Sequence, residues 1–179
     1  MKAYLGLGSN IGDRYENLCI AVEKLNCVSD VKIDRMSRIY ETEPVGNVDQ
    51  PFFLNAAVRV ETSLTAQRLL QVCLAIEAKM GRTRTEKWAP RSIDIDVLFF
   101  ADEIVNEEKL IIPHPLLHTR AFVLFPLMDI ASEVLHPGFG ITVEELFKSV
   151  ETTGIALTDY KLKNIIKING KTGSYGLSL

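Results

Sequence analysis

The chain has 179 residues, a length that suits one domain with a sizeable core. Apolar residues make up 47% and charged residues 24%, an ordinary globular balance, and the net charge of −3 excludes the broad basic field of a nucleic-acid or membrane-surface binder. Cys19, Cys27 and Cys73 are an odd, widely spaced set, which excludes a disulfide framework or zinc-ligand pattern and suits core thiols in a reducing compartment. The opening MKAYLGLGSN turns polar too early for a secretory signal, and no apolar run has the length of a membrane span. The expectation is a cytoplasmic monomer with no nucleic-acid or membrane partner.

AYLGL at 3–7 reads as a short apolar strand ending in a Gly/Ser/Asn turn. A helix is predicted from about Arg14 to Asn26, where Leu18, Ala21, Val22 and Leu25 recur at helical spacing. A second strand runs from about Val31 to Glu41, with Ile33, Arg35, Ser37 and Ile39 in imperfect alternation, and TEPVGNVDQP is a Pro/Gly loop. FFLNAAVRVET forms a third strand, with Phe53, Asn55, Ala57 and Arg59 on one face and Leu54, Ala56, Val58 and Val60 on the other. A second helix spans about Ala66 to Met80, striped by Leu69, Val72, Cys73, Ile76 and Met80 and stopped by Gly81.

The strand RSIDIDVLFF closes a β-α-β-β-α-β order, the α+β, ferredoxin-like arrangement of an antiparallel sheet backed by two helices. A further strand near Lys109 to Ile112, a turn at PHP, and helical pieces near Arg120 to Ile130 and Val143 to Val150 follow. Residues 1–160 are expected to form the single domain and 161–179 a partly flexible extension, with KTGSYGLSL as a loose tail.

Chemistry concentrates where the loop RTRTEKWAPR meets the last of these strands. Alternation puts Ile93, Ile95, Val97 and Phe99 on one face and Asp94, Asp96, Leu98 and Phe100 on the other, with the two carboxylates about 7 Å apart. Solvent exposure would explain the pair alone. Beside it, however, lies a run of Lys79, Arg82, Arg84, Lys87 and Arg91 that carries the chain's one tryptophan, Trp88. Paired aspartates hold Mg²⁺ through hard oxygens and arginines clamp phosphates, so the combination describes a place for a metal-polyphosphate. His114 in PHP and Arg120 add two potential phosphate donors. GLGSNIG has neither the spacing nor the downstream acid of a dinucleotide fingerprint, and no P-loop is present. Asn55 is a polar residue inside an apolar strand, where it must bond either to protein or to a ligand edge. With Phe53 on its face and Phe122 in RAFVLFPL it would suit a flat heteroaromatic ligand, although two core phenylalanines and a structural amide fit the spacing equally well.

Taken in order, GLGSNIGDR, YETEPVG, QPFFLNAAV, GRTRTEKWAPRSIDIDVLFF and PHP followed by RAFVLFPL resemble the 6-hydroxymethyl-7,8-dihydropterin pyrophosphokinase family of folate biosynthesis. The resemblance implies a ferredoxin-like fold and transfer of the terminal diphosphate of ATP to the pterin hydroxymethyl group, with release of AMP. Asp94 and Asp96 would then hold two Mg²⁺ ions. Arg82, Arg84, Lys87, Trp88 and Arg91 would lie on a mobile loop and its phosphate contacts, with Arg82 and Arg91 joining the aspartates in catalysis. Glu77, His114 and Arg120 match further ATP-side positions. Asn55 would read the pterin between Phe53, Phe122 and Trp88, with Thr42 to Val45 supplying backbone contacts. Phe53 stands where the family often has tyrosine, the loop between Arg84 and Trp88 is one residue shorter than in the familiar form, which leaves Lys87 an inexact match, and the chain runs past the usual end.

Two other readings compete. Nucleotidyltransferases of the polymerase-β type also combine a Gly-Ser turn with an aspartate strand, but there the turn closely precedes the strand, whereas Gly8 and Ser9 lie far upstream of Asp94. A non-catalytic ferredoxin-like module binding RNA would carry aromatic and basic residues on its central strands, and LNAAVRVET has no such segment.

Overall fold

The computed structural model describes residues 1–44, 50–81, 91–168 and 171–175. The apolar strand β1 (Lys2–Ser9) runs between two antiparallel partners, with Leu5 opposite Val58 of β4 (Phe53–Thr62) and Val97 of β5 (Asp94–Phe100). β2 (Val31–Met36) and β3 (Tyr40–Thr42) pair one after the other with the far side of β4. The continuous strand expected from Val31 to Glu41 is thus broken at Ser37–Ile39. There the Ser37 hydroxyl oxygen accepts the Ala57 N–H at 2.8 Å while the Ser37 N–H donates to the Ala57 carbonyl at 2.9 Å, so a side chain replaces one rung of the ladder. β8 (Ile155–Leu157) extends the sheet beyond β3, giving the order β5-β1-β4-β3-β8 with β2 beside β3 on β4. Every pairing is antiparallel, and β5 is an edge strand.

Both predicted helices form. α1 (Arg14–Asn26) begins where the Asp13 carboxylate accepts the Glu16 N–H at 2.9 Å, and α2 (Ala66–Lys79) where the Thr65 hydroxyl accepts the Arg68 N–H at 3.3 Å. The chain leaves α2 through Gly81 at φ +83°, a left-handed conformation that glycine adopts without Cβ strain. Leu18, Val22, Leu25, Leu69, Cys73 and Ile76 pack on the sheet face built by Leu5, Leu7, Leu54, Val58, Val60, Ile95 and Val97. The assignment of the two faces of β4 holds, since Leu54, Ala56, Val58 and Val60 lie in this core and Ala57 in the other.

The opposite face is half covered. α3 (Ala121–Ala131) and the short α4 (Val143–Phe147) bury Tyr4, Ala57, Leu98 and Phe99 under Leu124, Leu127, Val143 and Leu146. Membership of these two cores corrects the expected faces of β5. The register jumps from Leu5↔Val97 to Tyr4↔Phe99, so Leu98 is an extra residue in a bulge. Phe99 therefore joins Leu98 on the face of the aspartates, and Phe100 turns to the α1–α2 side.

β6 (Val105–Glu107) and β7 (Leu110–Ile112) form a hairpin at the β5 edge. In the extension β9 (Asn164–Ile168) and β10 (Lys171–Tyr175) pair as an antiparallel hairpin, and residues 176–179 of the expected tail lie outside the described residues. Cys19 and Cys73 are buried, and burial pushes the Cys73 thiol up to about 12, whereas Cys27, expected in the core, is exposed just past the end of α1. Among the described residues no helix is long and apolar enough to cross a membrane.

Candidate active site

The uncovered half of the second sheet face is the floor of a cavity of about 630 Å³. Register sets the floor. Gly8 of β1 lies opposite both Asp94 and Asn55, and Gly6 opposite both Asp96 and Ala57. A row across the sheet therefore reads carboxylate, glycine, amide. Glycine is needed here for close approach: a Cβ on Gly8 would stand 3.1 Å from Asn55 Oδ1, and one on Gly6 would stand 3.3 Å from Leu98 Cδ1. The GLGS stretch keeps the space between the aspartates and Asn55 open.

At one end of the row Asn55, only 6% exposed, donates through Nδ2 to the Thr42 hydroxyl at 2.7 Å and turns Oδ1 over Gly8. Phe53 stands beside it next to Gly8, and Phe122 lines the same cavity. Phe122 belongs to the first turn of α3, which Asp129 ties to the β2–β3 break by accepting the Arg38 backbone N–H at 3.0 Å and the Tyr40 hydroxyl at 3.0 Å.

At the other end cations face the two aspartates. The Arg91 guanidinium is ion-paired with Asp94. Arg120, whose guanidinium carbon lies 5.6 Å from the centre of the Phe122 ring, has its pKa lowered by burial, with the charges of Asp96 and Asp94 opposing the shift. His114 follows the cis bond between Ile112 and Pro113. Burial, reinforced by the Arg120 charge and opposed by Asp94, pushes its imidazole down to about 4. At neutral pH the ring is uncharged, and because Nδ1 accepts the Leu116 N–H at 3.3 Å, Nε2 carries the proton. His114 thus offers a neutral donor rather than a second cation.

Glu77 of α2 is 2% exposed, and its Oε1 accepts the Ile95 N–H at 2.7 Å on the outer edge of β5. A buried carboxylate therefore takes the place of a missing neighbour strand and pins the backbone between the two aspartates. The cavity wraps around this edge, from the aspartate face to a wall that includes Leu70, Leu74 and Ile111.

Of the described residues singled out in the sequence, Thr42, Phe53, Asn55, Glu77, Arg91, Asp94, Asp96, His114, Arg120 and Phe122 line this one cavity, and Lys79, the last residue of α2, does not. Val45, Arg82, Arg84, Lys87 and Trp88, and with them the expected mobile loop, lie outside the described residues. Sequence reading left the glycines of GLGSNIG between a turn passing close under a ligand and a simple connection and did not place Gly6 and Gly8 on a sheet floor, although two glycines at alternate positions of a strand are a signal of close approach. It also missed the Leu70, Leu74 and Ile111 wall, which has no signal beyond ordinary core periodicity.

Fold and cavity together describe a ferredoxin-like transferase domain with acidic and basic groups converging beside an aromatic-amide pocket. The profile of the family 7,8-dihydro-6-hydroxymethylpterin-pyrophosphokinase (HPPK) matches residues 4–132. The chain is 47% identical over 154 residues to a 2-amino-4-hydroxy-6-hydroxymethyldihydropteridine pyrophosphokinase of Methylorubrum extorquens, covering 86% of this chain and 96% of that protein. A Bacillus subtilis protein of the same name is 48% identical over 132 residues, covering 74% of this chain and 79% of its own length. Among solved structures, a Plasmodium falciparum HPPK-DHPS superposes with a TM-score of 0.65 at 20% identity, over 82% of this chain and 45% of that one, a likeness of fold. The chain belongs to the HPPK family, and it is a pyrophosphoryl-transferring enzyme of folate biosynthesis.

Proposed function

We propose that the cavity transfers the terminal diphosphate of ATP to the hydroxymethyl group of 6-hydroxymethyl-7,8-dihydropterin and releases AMP. The observation that carries this reading is the row Asp94–Gly8–Asn55, which sets a polyphosphate-type end and a flat-ring end side by side on one open floor. The pterin would lie against Asn55 between Phe53 and Phe122. The base of ATP would turn over the β5 edge toward Leu70, Leu74 and Ile111, leaving the triphosphate above the aspartates with Arg91, Arg120 and His114 around it. The pterin hydroxyl oxygen bonds to the β-phosphorus and gives up its proton. The bond from that phosphorus to the α–β bridging oxygen breaks, and its electron pair leaves with AMP.

The donor set suits two Mg²⁺ ions. Asp94 and Asp96 supply hard carboxylate oxygens, and no cluster of three or more metal-ligating side chains occurs among the described residues. That composition fits a cation which takes one or two carboxylates and completes its shell with substrate phosphates and water. When bound there, Mg²⁺ supplies neutralisation of the charge spread over the phosphoryl oxygens. The protein's own part is to place the two substrates. Arg91 and Arg120 offer planar donors to phosphate oxygens, neutral His114 adds one N–H, and Asn55 fixes the orientation of the ring.

Incubation with ATP, Mg²⁺ and the pterin alcohol tests the proposal. AMP and the pterin diphosphate should appear in equal amounts, and chelation of Mg²⁺ with EDTA should stop both. Release of free pyrophosphate, or of ADP, would overturn it.

A further inference from the structure

Asn10 is the last residue of the GSN stretch and is 1% exposed. It stands behind the cavity, outside its lining. Its backbone N–H donates to the Arg91 carbonyl at 3.1 Å, and its Oδ1 accepts the Arg91 N–H at 2.7 Å. Its Nδ2 donates the other way, to Gln50 Oε1 at 3.1 Å and to the Pro51 carbonyl at 3.5 Å. One buried amide therefore ties together the two chain segments that enter the site from opposite sides. Arg91 leads into the aspartate strand and is paired with Asp94. Gln50 and Pro51 lead into Phe53 and Asn55, and the next carbonyl, that of Phe52, is held at 2.7 Å by Arg14 at the start of α1. An amide suits this place because it offers an acceptor and two donors from one short branch. Alanine would take these partners from the partly buried Arg91 N–H and the Pro51 carbonyl, and a hydroxyl could not reach both sides.

We infer that Asn10 is a positioning residue for diphosphate transfer: it holds the Phe53–Asn55 wall and the Arg91–Asp94 wall in fixed register, so that the accepting hydroxyl meets the β-phosphorus at the right distance. The inference rests on the function proposed above. Asn10 lies outside the cavity lining, so its effect belongs to the rate of transfer and not to the binding of either substrate. Displacement of reacting groups by about 1 Å costs on the order of 100-fold in rate.

The test compares kcat and both KM values of the wild type with those of Asn10→Ala, Asn10→Asp, Gln50→Ala and the double variant Asn10→Ala/Gln50→Ala, with thermal melting of each. Asn10→Ala should lower kcat by about 10- to 100-fold with both KM values within about 3-fold of wild type. Asn10→Asp keeps the acceptor for the Arg91 N–H, and the Gln50 amide can turn to donate to it, so this variant should recover most of the loss. The double variant should be no slower than Asn10→Ala, because both changes cut the same link. A wild-type kcat in folded Asn10→Ala, a loss confined to KM, or an aspartate variant no better than alanine would each overturn the inference. Should Asn10→Ala fail to fold, the remaining single variants decide. Gln50→Ala must then slow kcat and Asn10→Asp must not, and any other pairing overturns it. Amide exchange separates this outcome from failure of the function itself. With an inactive wild type, exchange at Arg91 that is faster in Asn10→Ala and near wild type in Asn10→Asp would still establish the tie, and unchanged exchange would refute it.

Discussion

Asp94 and Asp96 are like charges on alternate positions of one strand face, and in the free protein Arg91 and Arg120 offset them. On the proposed function each aspartate is a metal ligand, so replacing either with alanine should abolish transfer, while stability in denaturant titrations stays within about 1 kcal/mol of wild type. Transfer at a near wild-type rate in the presence of Mg²⁺ would refute the metal role. Asn55 has a different energetics. Its amide is fixed by Thr42, so removing it from the row leaves polar groups of a bound ring unpaired, at a cost of about 1–3 kcal/mol. Asn55→Ala should therefore weaken pterin binding about 5- to 150-fold and leave ATP binding nearly unchanged, a contrast that calorimetry with each ligand alone would read. Equal losses for both ligands would count against the assignment. His114 carries a pH signature. Its folded-state value, near 4, lies below the ordinary 6.5, so between those pH values the unfolded chain binds the extra proton. The ligand-free protein should lose stability as pH falls from about 6.5 to about 4, and His114→Asn, which has no such proton to take up, should show a shallower fall over that window. Parallel stability profiles for the two proteins would contradict this.

At the scale of elements, the site depends on a strand, β5, that among the described residues pairs with β1 alone and has no second partner strand. Glu77 supplies the acceptor that such a partner would have given Ile95. Glu77→Ala should therefore destabilise the fold by about 1–3 kcal/mol in urea unfolding, and Glu77→Gln, which keeps the acceptor, should recover most of that loss. Equal destabilisation by both would mean that the carboxylate charge matters more than the bond to Ile95. The strand order, both long helices and the convergence on Asp94 and Asp96 were legible in the sequence because they are written in hydrophobic period and residue type. What was not legible depends on backbone detail. The bulge at Leu98 exchanges the faces of Phe99 and Phe100, yet a run of four apolar residues reads the same with or without an extra residue. Ser37 breaks a strand by placing its hydroxyl in a backbone rung, and alternation alone cannot show that. Asn10 reads as a turn residue, since its partners lie 40 and 81 positions away. Thr42, Asn55 and the two phenylalanines were found in part by resemblance to a family, because their spacing alone fits an ordinary core.

At the scale of the whole molecule, the last part of the chain divides into a strand that completes the sheet and a hairpin that lies against α1. β8 pairs with β3, and the Glu43 N–H donates to the Gly154 carbonyl at 3.1 Å, so this strand covers the sheet edge beside Thr42. Beyond it the chain crosses to α1. Tyr160 stacks on Tyr15 with ring centres 4.7 Å apart, the Tyr15 hydroxyl donates to the Lys161 carbonyl at 3.0 Å, and Leu162 joins the core between the helices and the sheet. Among the described residues the strands β9 and β10 pair only with each other, the hairpin meets the domain through α1, and a two-stranded hairpin adds little stability of its own. Truncation should expose this boundary. A chain ending at Lys163 should keep the melting temperature and the transferase activity of the full protein. A chain ending at Glu151 gives up the β8 edge and the Leu162 contact, and burial of that leucine alone is worth about 1.5–3 kcal/mol. It should therefore melt several degrees lower and bind the pterin more weakly, because the strand that carries Thr42 becomes an open edge. If loss of residues 164–179 lowered the melting temperature as much as the longer truncation, the hairpin would belong to the folding unit and the domain would extend to the last strand.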